Sequence, residues 1–166
     1  MIHVKRPLFV VILLLFLVPI FWLLSPYIIH RNGEDISPLT PTTEGVIPVL
    51  PDPSLPQPTV VMGGVLEPRA HRAEGVVQVI ETDQGRILRL EDFDVLNGPD
   101  LRVYLSTDEQ ASQFIDLGPL RANRGDLNYS LSEQEEEIDF GVYDTVLIWC
   151  RAFGVLFASA QLEPQP

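Results

Sequence analysis

The chain has 166 residues, with 11 Lys and Arg against 23 Asp and Glu, a formal net charge of −12 and one cysteine. Every acid lies at or after Glu34, so the part beyond Arg31 holds 23 acids against eight arginines, a net of −15, and contains no lysine. Such a surface repels phosphate backbones, which argues against nucleic acid, and also repels anionic headgroups; a lone cysteine leaves no intramolecular disulfide to staple the fold.

Pro7 to Ile29 is a stretch of 23 residues without a charge, including the run Leu8 to Leu17. As a helix it spans roughly 34 Å, enough for a hydrocarbon core of about 30 Å, so residues 7–29 are expected to form one transmembrane anchor. Pro19 would kink that helix, which a membrane tolerates. The competing expectation is a cleaved signal peptide, but Ser25-Pro26-Tyr27-Ile28-Ile29 lacks the small residues of a cleavage site, and no cysteine follows to make a lipoprotein signal. Lys5 and Arg6 precede the apolar run, so residues 1–6 are expected in the cytoplasm. The remainder would then lie outside, periplasmic or on the cell surface, as a single-pass membrane protein.

Residues 30–58 are expected to be a flexible linker. Pro38, Pro41, Pro48, Pro51, Pro53, Pro56 and Pro58 are spaced too closely for a helix or a central strand. Polyproline II is the natural local state, and the stretch from Asn32 to Thr59 would reach up to roughly 85 Å.

After Gly63-Gly64 the pattern becomes short apolar alternations between turn residues. Val76 to Thr82 reads as a strand, Asp83-Gln84-Gly85 as a three-residue hairpin loop with Gly85 in the left-handed region, and Arg86 to Phe93 as its partner. Leu101 to Ser106 follows, with Leu101, Val103 and Leu105 on one face, and then Phe114 to Leu117, Asn128 to Leu131, Thr145 to Cys150 and Val155 to Leu162. Only Asp108 to Phe114 carries a weak helical period. The expectation is an all-β domain over 59–163, a small antiparallel sandwich or barrel of about seven strands, with 164–166 a tail.

Several segments occur in order: His71-Arg72-Ala73-Glu74-Gly75 before the first strand, Asn97-Gly98-Pro99-Asp100 leading into Leu101-Arg102-Val103-Tyr104-Leu105, Leu117-Gly118-Pro119-Leu120, Gly125-Asp126-Leu127-Asn128-Tyr129, and Ile148-Trp149-Cys150 followed by Phe153, Val155, Phe157, Ala158 and Leu162. Over about residues 60 to 163 this succession resembles the DM13 family. The resemblance implies a role in electron transfer, with Cys150 as a free redox thiol or as a ligand to a prosthetic group such as haem.

On the residues alone, Cys150 shares a strand face with Val146 and Ile148. A free cysteine among aliphatic side chains is usually a small buried hydrophobe with little reactivity. Arg151 follows directly, however, and a cation at a strand end favours thiolate. His71 is the one histidine beyond His30, so His71 and Cys150 are the domain's pair of soft-to-borderline ligands, suited to axial haem or part of a copper centre if the fold joins them. The alternative for His71 is a loop hydrogen bond near the surface. Glu133 to Asp139 holds five acids in seven residues without EF-hand spacing and reads as a solvated loop. Arg124-Gly125-Asp126 is the adhesive tripeptide by letter, but the resemblance implies a turn at Gly125-Asp126, so the match is taken as chance. No Gly-x-Ser-x-Gly or His-Glu-x-x-His is present, so hydrolase and transferase chemistry is not expected, and any activity would be that of a redox component.

Overall fold

The computed structural model describes residues 32–39, 57–134 and 136–166. The expected anchor at 7–29 and most of the proline-rich stretch lie outside these residues. Among those described, no helix is long and apolar enough to cross a membrane.

The described chain is all-β and forms two sheets. The first has the order β1 (Asn32–Glu34), β8 (Arg124–Ser130), β5 (Gly85–Val95), β4 (Ala73–Thr82), β2 (Thr59–Val65), β11 (Glu163–Pro164). The second has the order β3 (Glu67–Pro68), β10 (Val155–Gln161), β9 (Thr145–Cys150), β6 (Leu101–Ser106), β7 (Phe114–Pro119). All pairings are antiparallel except β1 with β8. The expected sandwich is therefore present, with 11 strands rather than about seven. The additional β1, β3 and β11 are two or three residues long, too short to carry an apolar alternation, and β2 runs through Gly63-Gly64, which have no side chains to show one.

The sheets bury one core between them. Val77 and Val79 of β4 and Leu88 and Leu90 of β5 meet Val103 and Leu105 of β6 and Val146 and Ile148 of β9, with Phe157 and Ala158 of β10 closing one side. Each such aliphatic side chain contributes about 1.5–3 kcal/mol by leaving water. Midway along β5 the register slips between Leu90 and Phe93, where Asp92 takes a φ of 49°. That extra residue is a bulge, and it returns Phe93 and Val95 to the core face. At the open side, Gly64 of β2 lies so close to the carbonyl of Gln161 that a Cβ would overlap it, so the two sheets approach there through a residue without a side chain.

Hydrogen bonds between connecting segments fix which loops share an end. At one end, Leu96 N donates to Arg72 O (3.3 Å), Val95 N to Asn123 O (2.9 Å) and Arg151 N to Asp100 O (2.9 Å). At the other, the β4–β5 hairpin meets the 131–144 loop through Leu131 N and Arg86 O (2.9 Å). Glu81, Asp83, Glu133, Glu137 and Asp139 are all exposed at this second end.

Two local expectations are corrected. Thr82 pairs with Gly85, so the hairpin loop is the two residues Asp83 and Gln84; Gly85 does take a positive φ, 111°, but from inside β5. Asp108 to Phe114 is not helical. Its backbone is pinned as turns, because Asp108 Oδ1 accepts from Gln110 N (2.9 Å) and Ser112 N (3.0 Å), leaving Ala111 at a φ of 54°.

Candidate functional site

β9 is the strand Thr145–Cys150, and its alternation sends Val146, Ile148 and Cys150 into the core. Cys150 is the last residue of the strand, with Leu101 of β6 on one side and Val155 of β10 on the other. Its relative exposure is 0%. The thiol therefore ends in an aliphatic enclosure rather than in a pocket. Arg151, the neighbouring cation, does not serve it: the guanidinium turns outward and Nε donates to Asp100 Oδ2 at 2.7 Å, with the side chain 58% exposed.

His71 lies between β3 and β4, half-buried, and its ring packs on Phe157 with centroids 4.1 Å apart at 48°. His71 and Cys150 thus belong to the same end of the sandwich, the end where Arg72 meets Leu96 and Arg151 meets Asp100. Phe157, itself buried in the core, is the aromatic contact of the histidine. Among the described residues, no group of three or more His, Cys, Asp or Glu is placed to hold a metal ion. Haem or copper held by this pair would need the sulfur to reach a cavity, and as folded it meets apolar side chains.

Sequence reasoning did not find a separate cleft of about 480 Å³, lined by residues of β2, β4, β10 and β11 together with Arg69 and Glu109. Glu109 Oε1 accepts from Arg69 Nε (3.0 Å) and from Ser159 Oγ (2.7 Å). The Arg69 hydrogen bond, with help from Ser159, holds the Glu109 carboxyl below its usual range. Gln78 Oε1 also lines this cleft and is buried without a partner, an acceptor suited to a ligand N–H or O–H. Neither Cys150 nor His71 lines it. The signal that could have found it is the polar residue on the outer face of each contributing strand: Gln78 on β4, Ser159 and Gln161 on β10.

Arg124-Gly125-Asp126 is a strand and not a turn: it forms the start of β8. Asp126 is ion-paired with Arg89, which is itself only 2% exposed. Asn128 donates through Nδ2 to Ile36 O (2.8 Å) and accepts from Arg89 Nη1 (3.0 Å), so its amide is committed within the fold.

Comparison with known proteins agrees with this architecture at the level of family. Residues 65–162 match the family model described as Electron transfer DM13, which covers nearly the whole sandwich, Cys150 and His71 included. The chain belongs to the DM13 family. No curated protein and no solved structure matches.

Proposed function

We propose that this chain is a membrane-tethered, extracytoplasmic DM13 domain protein that acts, as folded, as a binding or structural module, with Cys150 a packing residue of its core. The observation that carries this reading is the complete enclosure of the Cys150 side chain between Leu101 and Val155. A thiolate nucleophile or a metal-ligating sulfur needs access and a stabilising charge, and here the adjacent cation is spent on Asp100. The tether rests on the 23-residue apolar stretch Pro7 to Ile29, and the outward orientation on Lys5 and Arg6 ahead of it. The polar cleft beside Gln78 offers such a module a place for a small hydrogen-bonding ligand.

The family match favours a second reading, a redox module in which Cys150 holds a prosthetic group such as haem or copper with His71 as a further ligand. It requires the loops at that end to part and let a cofactor reach the sulfur. The absorption spectrum and metal content of the purified full-length chain separate the two. The packing reading expects neither a haem band nor stoichiometric copper. A haem or copper signal that disappears in Cys150→Ala would replace it with the redox reading.

A further inference from the structure

The segment just after the expected anchor is built into the sandwich. Asn32, Gly33 and Glu34 pair in parallel with Arg124, Gly125 and Asp126, on what would otherwise be the open β8 edge of the first sheet. Asp35 N donates to Asp126 O (2.8 Å), Asn128 N to Asp35 Oδ2 (2.7 Å) and Arg89 Nη1 to Asp35 O (3.1 Å), while Arg121 is ion-paired with the Asp35 carboxylate. Gly33 and Gly125 pass so closely that a Cβ on Gly125 would overlap the Gly33 carbonyl. This docking lies outside residues 65–162 and is a feature of this chain beyond the family match.

Because the pairing is parallel, the strand enters at Arg124, the end where Arg72, Leu96, Asp100 and Arg151 gather. Two residues, His30 and Arg31, separate Ile29 from Asn32, and the three steps between them reach about 10 Å. A domain latched there cannot sit at the far end of an ~85 Å polyproline spacer. The end it turns toward the anchor carries Phe153 at 63% and Leu96 at 40% exposure, flanked by the exposed guanidinium groups of Arg72, Arg124 and Arg151. Each of these is paired with an acid, Arg72 with Glu74 and Asp94, Arg124 with Asp94 and Arg151 with Asp100. The exposed acids of the β4–β5 hairpin and the 131–144 loop lie at the opposite end. The net negative charge that would repel headgroups is thus held away from this face.

We propose that Asn32–Ile36 is a latch that sets the Phe153 and Leu96 end of the sandwich against the lipid surface of the membrane holding the anchor. The proposal rests on the anchor in the reading above. Its chemistry is that of an interfacial contact: an exposed aromatic and an aliphatic tip enter the headgroup region, and arginines beside them meet phosphates. The prolines between the latch and β2 then connect two parts of one domain and do not act as a stalk.

The test uses the full-length chain in phosphatidylcholine vesicles, with one fluorophore attached at Ala152→Cys, beside Phe153, or at Gln84→Cys, at the opposite end, and an energy acceptor on the headgroups. Both positions are exposed, and Cys150 is buried. Transfer is expected to be strong from position 152 and several-fold weaker from position 84. Gly33→Val, whose side chain would strike Leu127 and Ala122, is expected to release the latch and abolish that difference. Asp35→Ala, which adds no bulk, is expected to act in the same direction. Equal transfer from both ends of the parent chain, or a difference that survives both variants, overturns the latch. Failure of the chain to float with the vesicles overturns the anchor instead, an outcome distinct from flotation without an end preference.

Discussion

Replacing Cys150 by alanine or by serine separates two ways in which one sulfur can matter. If it packs, Cys150→Ala removes little more than one buried group and costs about 1 kcal/mol, while Cys150→Ser places an unpartnered hydroxyl between Leu101 and Val155 and costs about 1–3 kcal/mol. Denaturant unfolding checks the order. Serine as benign as alanine would mean that the site is wet or open. A second residue-scale prediction concerns Glu109, whose carboxyl is held below its ordinary 4.5, first by Arg69 and then by Ser159. Its folded value is depressed, so its contribution is complete above 4.5 and lost as pH falls through the folded value. Glu109 is 40% exposed, so the ion pair with Arg69 is worth less than about 1 kcal/mol. Stability of the parent relative to Glu109→Gln is expected to shrink as pH falls below 4.5. An unchanged difference would show that the pair does not tie the 107–113 loop to the segment that follows β3.

The latch is the element whose loss the rest of the fold should survive. Gly33→Val is expected to cost about 1–3 kcal/mol through the hydrogen bonds of Asp35 and Asn128, and to leave the core intact, which hydrogen exchange at β8 amides against those of β9 would reveal. How far each element could be read from sequence follows from where its apolar residues lie. Leu101–Ser106 and Thr145–Cys150 match the sequence reading residue for residue, because each is a short continuous run with five of its six residues buried. β8 begins at Arg124 rather than Asn128, since Arg124-Gly125-Asp126 pairs through backbone and polar side chains that carry no alternation. β1 was illegible for the same reason: Asn32, Gly33 and Glu34 form a strand only because Gly125 offers a neighbouring backbone without a Cβ. At the site, the face of Cys150 was legible from Val146 and Ile148. The outward turn of Arg151 was not, because Asp100 lies 51 residues away in sequence.

For the whole molecule, the acidic net charge told less than its distribution: Arg72, Arg124 and Arg151 stand at the end where the chain enters, among the acids that pair with them, and the exposed carboxylates of the β4–β5 hairpin and the 131–144 loop lie at the other. The topology proposed for it predicts that a reporter fused after Pro166 is active outside the cytoplasm, and activity confined to the cytoplasm would invert the anchor. The family match spans the sandwich and brings a redox expectation with it; the core into which Cys150 is folded brings the opposite one. The measurement that decides most directly is the rate at which Cys150 in the native full-length chain reacts with a thiol reagent as denaturant is raised. An enclosed packing residue should react only through global opening, with a rate that follows the unfolding free energy across the series. Rapid labelling in the absence of denaturant, independent of stability, would contradict the account and return Cys150 to the surface of a working site.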